Sequence, residues 1–377
     1  MDLNWSEEEI LVKNTAAQFV QRELLSVEGS FLKQKQPFLP PGDPPRRALD
    51  GAISGVLREK AKQAGLWALE STEGGAGGGL SHIARALIYR EFGKTILPFE
   101  PLSIPVVLSK SRSAEQLLEG EMSIALAFGE IHKTGDLTGV RAGYRSLPDG
   151  YSLHCSGIEV LNPGSDLYLL PAREGNSGQV GLFLLDRDMA GLHIEEEMEL
   201  SSDETAARMA ISEGKVPRNR LIGYENDIGA IIAQEQLRIA ARSLGIGVRC
   251  LESSLEHARN RVTFGRPLSS RQAVQWMLAD LSISLRTSSW LTFEAAWQAD
   301  QDLPYFQSAA LAKKRAARMA FEAADTAIQI HGGYGVCKEF PFEGFYREAR
   351  LMRLLYGREF EMDTAIGEAF LGLSNEK

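Results

Sequence analysis

Apolar positions recur with a helical period over the first third of the chain and again from Asn226 onward, with short alternating runs between the two stretches. Ser6 followed by Glu7, Glu8 and Glu9 predicts a helix cap and an acidic first turn, and Ile10, Leu11, Ala17, Phe19 and Val20 supply the apolar face behind it. Residues 35–46 hold five prolines, which exclude helix or central strand and predict a surface excursion. Helical patterns resume around 52–64, 81–92 and 113–118.

From Met122 to about Ile222 the texture changes to short runs such as Tyr151–His154, Leu167–Leu170 and Val180–Leu185. Turn signals at Asp149-Gly150, Asn162-Pro163-Gly164 and 174–178 punctuate them, and no helical pattern intervenes, so an antiparallel β domain is expected. Beyond it lie four helical blocks, about 226–260, 270–299, 305–331 and 339–372, joined by short breaks as in an antiparallel bundle. The expected class is α+β in three parts: an all-α domain over 1–120, a β domain over 121–223 and a four-helix bundle over 224–377. A chain of 377 residues is long enough for that division.

Acids outnumber bases by 50 to 41, a formal charge of -9, which argues against nucleic-acid or anionic-membrane partners. No run approaches the roughly 20 apolar residues of a membrane helix. Met1 to Glu9 has neither the apolar core of a secretory signal nor the basic character of a transit peptide. Cys155, Cys250 and Cys337 are scattered, which suits a reducing compartment and offers no metal site. A soluble cytoplasmic protein without a metal is expected.

Three segments could carry chemistry. Glu235 sits three residues after Ile232 and four before Ile239, inside the apolar stripe of its helix. Burial raises a carboxyl pKa, which suits a general base, but the same residue could reach water at the stripe's edge or pair with Arg238 or Arg242. Arg261-Val-Thr-Phe-Gly265 falls in a break between helices with Gln272 opening the next, which suits a pyrophosphate site or merely a capped connection. Gln329-Ile-His-Gly-Gly333 ends the third block, where glycines stop a helix or let backbone approach a cofactor. His331 has no second ligand at metal spacing. The run Gly74–Gly79 superficially matches a dinucleotide fingerprint, but it lacks the preceding buried strand and the βαβ unit that a nicotinamide site needs.

Together, Arg261-x-x-Phe-Gly265, Gln272-Ala-Val-Gln-Trp-Met-Leu-Ala-Asp280, Gln329-x-x-Gly-Gly333 and Arg347-Glu-Ala-Arg350, with the spacing between them, resemble the acyl-CoA dehydrogenase family of flavoenzymes over nearly the whole chain. Weaker likenesses are Gly65-Leu-Trp67 with the glycine-rich run after it, and the stretch from Lys215 to Gly223. The resemblance implies the three-part fold above and FAD as cofactor. It implies that Arg261, Phe264 and Gln272 hold the ADP portion of FAD, and that Gln329, Gly332 and Gly333 contact the FAD of a neighbouring subunit.

The flavin-ring end departs from the family. Its aromatic-Ile-Thr/Ser-Asn run aligns with Glu159-Val-Leu-Asn162, and its Thr-Glu-Pro … Gly-Ser-Asp run with Gly129-Glu-Ile131 … Thr134-Gly-Asp136. The usual Tyr-Glu-Gly-Thr base motif aligns with Tyr356-Gly-Arg-Glu359, which puts Gly357 at the base position. A minority of the family, including isovaleryl-CoA and some steroid-CoA dehydrogenases, carries the base near the start of the first bundle helix. Here that position is Glu235, followed by Gln236 where an arginine is usual. The resemblance therefore implies α,β-dehydrogenation of an acyl-CoA thioester. Glu235 takes the α-proton, the Gly357 amide is a donor to the thioester carbonyl, and an electron-transfer flavoprotein accepts the electrons. A branched or steroid-type acyl chain and a homo- or heterotetramer are expected. The alternative is a non-catalytic partner in an α2β2 assembly that completes the FAD site of the other chain.

Overall fold

Ser6 does cap the first helix, α1 (Glu7–Phe19). Its hydroxyl accepts from the Glu9 N–H at 3.2 Å, while the Glu9 carboxylate accepts from the Ser6 N–H at 2.7 Å. This reciprocal capping box satisfies two donors that have no intrahelical partner. The structure is a computed structural model that describes residues 5–33, 51–69, 79–101, 108, 113–200 and 205–371. The proline-rich stretch 35–46 and glycines 74–78 lie outside the described residues.

The chain divides into two compact units. The first comprises residues 1–66, 80–101 and 234–353, and the second residues 67–79, 102–233 and 354–377. The first unit is helical, with α2 (Leu25–Lys33), α3 (Gly51–Gln63), α4 (His82–Phe92), α8 (Gln272–Asp300), α9 (Phe306–His331) and α10 (Phe342–Met352). Most of α7 (Glu225–Asn260) also belongs to it. Alanines 309, 312, 316, 320, 323 and 327 line the buried face of α9, so its neighbours approach closely. Gly245 serves the same end on α7, because a Cβ there would fall 2.6 Å from the Gly93 Cα. Phe19 stacks on Phe92 and Phe99, with centroids 5.7 and 6.3 Å apart, and this joins α1 to the segment after α4.

In the second unit seven strands of an eight-stranded sheet run in the order β6-β7-β3-β2-β4-β5-β8, and the eighth, β1, pairs with β4 off this path. Its strands are β1 (Ile124–Leu126), β2 (Ala142–Leu147), β3 (Gly150–Leu161), β4 (Leu167–Glu174), β5 (Val180–Asp186), β6 (Leu192–Glu199), β7 (Thr205–Pro217) and β8 (Leu221–Tyr224). The sheet is mixed rather than wholly antiparallel: β1 pairs in parallel with Leu167–Leu169 and β2 in parallel with Ala172–Glu174. Alternation of apolar residues reports which face a side chain takes and says nothing of the direction of the neighbouring strand. Tyr144, Tyr151 and Phe183 pack edge to face at 5.0–5.7 Å in the core below the sheet.

The expected fourth helical block over 339–372 is broken. It splits into α10 and α11 (Glu359–Phe370), because Tyr356 and Gly357 take left-handed φ angles of 49° and 107°. The apolar period continues across the break, but the backbone does not.

Candidate cofactor cavity and carboxylate network

In the helical unit, α7 ends and Arg261 follows it directly, leading into a hairpin of β9 (Val262–Thr263) and β10 (Arg266–Pro267). Phe264 and Gly265 make its tip, with φ of 50° and 73°. The tip leaves the Phe264 ring 97% exposed, with the Arg271 guanidinium 6.0 Å above it. Opposite, α9 stops at Gly332, whose φ of 62° and ψ of -136° suit glycine alone. A Cβ on Gly332 or Gly333 would meet nothing within 4 Å, so this backbone is bare.

Between these two ends lies a cavity of about 470 Å³, lined among others by His257, Arg261, Thr263, His331, Gly332 and Gly333. Three of the six expected cofactor residues, Arg261, Gly332 and Gly333, thus share one cavity. Phe264, Gln272 and Gln329 lie outside its lining and are exposed at the hairpin tip, the start of α8 and the last turn of α9. An exposed guanidinium beside bare backbone suits a phosphate-bearing ligand. The two histidines were not expected there. His257 stands one turn before Arg261 on α7, and that i to i+4 spacing was the available signal. Among the described residues no group of His, Cys, Asp or Glu is arranged to hold a metal ion.

Glu235 lies on α7 with its side chain only 12% exposed. Of the alternatives the sequence left open, the ion pair is present: Arg238 donates from Nε at 3.0 Å and from Nη2 at 2.8 Å, both to Oε2. Oε1 carries no hydrogen bond among the described residues. Arg238 also donates to Glu100, and Arg242 bridges Glu100 at 3.1 Å and Glu348 at 2.5 Å. Burial alone would raise the Glu100 pKa, but the Arg238 and Arg242 guanidinium groups outweigh it and hold the carboxyl below its ordinary value. The network therefore holds three carboxylates against two guanidinium groups, with Glu235 at its end. Gln236, next to it, is buried.

Gly357 belongs to the β unit. Its amide, expected as a donor to a substrate carbonyl, donates here to the His132 carbonyl at 3.0 Å. The next amide, of Arg358, donates to the Lys133 carbonyl at 2.9 Å. His132 and Lys133 lie on the short helix α6 (Ile131–Thr134), and the Tyr356 ring meets the His132 ring edge-on at 4.7 Å. Beside them Glu159 carries a charge 3.7 Å from Lys133, which is also paired with Glu130 at 2.5 Å. The hydrogen bond to Glu130, more than the charges, raises the Lys133 pKa. Neither Glu159 nor Leu161 offers the aromatic or hydroxyl side chain that the family likeness implies at these positions.

A family model described as "Acyl-CoA dehydrogenase, C-terminal domain" matches residues 223–370. A Bacillus subtilis acyl-CoA dehydrogenase is 29% identical over 275 residues, 70% of this chain and 72% of that protein. Butyryl-CoA dehydrogenase from Megasphaera elsdenii superposes with a TM-score of 0.82 at 22% identity, covering 98% of this chain and all of that one. The structure titled "PigA with FAD and proline" gives 0.83 at 22% identity and covers both chains fully. The ChsE4-ChsE5 complex from Mycobacterium tuberculosis gives 0.81 at 20%, covering 98% of this chain and 99% of the other. The fold is the one these solved structures share. Residues 223–370 thus match the acyl-CoA dehydrogenase C-terminal domain, and over 70% of its length the chain is similar to an acyl-CoA dehydrogenase.

Proposed function

We propose that this chain is an FAD-dependent acyl-CoA dehydrogenase in which Glu235 is the base and the substrate is a branched or steroid-type acyl-CoA. The observation that carries this is the pairing of Arg261 with the bare Gly332-Gly333 backbone around one cavity, which fits the diphosphate of a dinucleotide cofactor. Arg261 and the Gly332 and Gly333 amides would hold that diphosphate within one chain, where the family likeness assigned the glycines to a neighbouring subunit's FAD, and Phe264, Gln272 and Gln329 are positions the family also uses. FAD, when bound, supplies the two-electron acceptor for the hydride that leaves the substrate β-carbon.

Glu235 Oε1 takes the α-proton, while Arg238 fixes Oε2 and so orients the carboxylate. A carboxylate held on one oxygen and open on the other can accept a proton without leaving its partner. Because the base stands on α7 and a C-terminal base is absent at Gly357, the acyl chain meets a different wall, which supports the bulky-substrate assignment. An electron-transfer flavoprotein is the proposed acceptor, and the cytoplasm the proposed location. No helix among the described residues is long and apolar enough to cross a membrane. The test is anaerobic bleaching of bound flavin by a panel of straight-chain, branched and steroid acyl-CoA thioesters. Bleaching by none of them contradicts the assignment.

A second role, the non-catalytic partner of an α2β2 assembly, is favoured by the internal use of the Gly357 amide and by the Glu159–Lys133 ion pair at the ring-contact position. Association with another chain is proposed under either role. On α8, Trp276, Ile283 and Trp290 recur every seven residues and are 61%, 61% and 52% exposed, an outward apolar stripe on a bundle helix. Replacing Trp276 and Trp290 together by Glu is expected to shift the assembly from tetramer toward smaller species by light scattering. An unchanged mass would exclude this face from the interface.

A further inference from the structure

Two imidazoles in the cavity have no role in the account so far. His257 from α7 and His331 from the end of α9 stack at 4.3 Å between centroids, 29° from parallel, and both line the cavity with Arg261. His331 is fixed: its Nδ1 lies 2.8 Å from the Ala327 carbonyl, so Nδ1 carries the proton and Nε2 is left for a second one. The rings of Phe340 and Phe342 also pack on His331, at 5.9 and 4.4 Å.

The groups facing the pair are Arg261 after α7, and Tyr334 and Cys337 from the turn after α9; among the described lining residues none is a carboxylate. Burial first, and then Arg261, hold the His257 pKa below its ordinary value. Burial first, and then His257, do the same for His331 despite the Ala327 bond. The lining thus favours the neutral form of both rings, with a guanidinium beside them and no carboxylate among the described lining residues to offset a further charge.

Resting on the cofactor assignment above, we infer that His257 and His331 are a stacked proton-accepting pair that contacts the diphosphate of the bound nucleotide, so that binding takes up a proton. A diphosphate brought against Arg261 supplies the missing anion, and it raises the pair's proton affinity in the complex relative to the free protein. The sign follows: a group that binds protons more tightly in the complex strengthens binding as pH falls. His257 and His331 are in this sense specificity-determining, since an uncharged ligand of the same shape gains nothing from the proton.

The probe is ADP-ribose, whose phosphates are both diesters, so its own charge stays constant between pH 6 and 8. Titrated into the full chain freed of bound flavin, it is expected to bind about fivefold more tightly at pH 6 than at pH 8. Calorimetry in two buffers of different ionisation enthalpy is expected to show net proton uptake. In His257→Gln, checked for an unchanged melting temperature, the pH dependence is expected to flatten. Equal affinity at both pH values without proton uptake overturns the inference and leaves the nucleotide assignment standing. A full pH dependence that persists in His257→Gln overturns it as well. No binding of ADP-ribose or FAD at any pH overturns both, and wild-type proton uptake remains decisive if the variant fails to fold.

Discussion

Glu235→Gln is expected to slow acyl-CoA-driven bleaching of the flavin by about 10²- to 10⁴-fold, the range over which a positioned general base acts. Glutamine keeps the size of the side chain and can still accept from Arg238 through its carbonyl oxygen, so the network over Glu100, Arg242 and Glu348 is retained. What it loses is the ability to take a proton. FAD content and melting temperature should therefore stay within error while the rate falls. Stopped-flow bleaching under anaerobic conditions separates this step from the later passage of electrons to an acceptor. A rate unchanged in the assembled enzyme would place the base on another residue or another chain.

Gly357→Glu is expected to restore nothing and to destabilise the β unit by about 2–6 kcal/mol, combining backbone strain of about 1–3 with overpacking of about 1–3. The φ of 107° at Gly357 lies where side chains are strained, and a Cβ there would approach the Met362 Cγ to 2.8 Å and the Gly135 Cα to 3.5 Å. The position thus lacks room for a side chain as well as a carboxylate. Its backbone has closed on α6 through the Gly357 and Arg358 amides. Thermal or denaturant unfolding measures the loss, and bleaching by straight-chain acyl-CoA measures any gained activity. A stable variant with new straight-chain activity would show that the closure is not a barrier.

The apolar stripe around Glu235 was legible because helical periodicity reports a face, and the side chain is indeed nearly covered. Its tie to Arg238 was legible as one of several local pairings, three residues along the helix. Glu100 was not, because it meets Arg238 across 138 residues of sequence and no local pattern encodes that contact. The same limit hid the meeting of His257 with His331, and the closure of Gly357 on His132. Arg261 and the Gly332-Gly333 pair were legible as motifs, while the cavity they share is a product of packing. The parallel pairing of β1 and β2 with β4 lay beyond the period-two signal, since direction is set by topology.

The most direct test of the central claim is the amount of FAD per chain, read from the visible spectrum of the protein purified alone and again co-expressed with any related dehydrogenase encoded beside it. About one FAD per chain is expected in the protein alone, bleached by an acyl-CoA thioester. A flavin-free protein on its own, with about half an equivalent per chain only in a mixed complex, would contradict a self-sufficient enzyme and assign this chain the partner role.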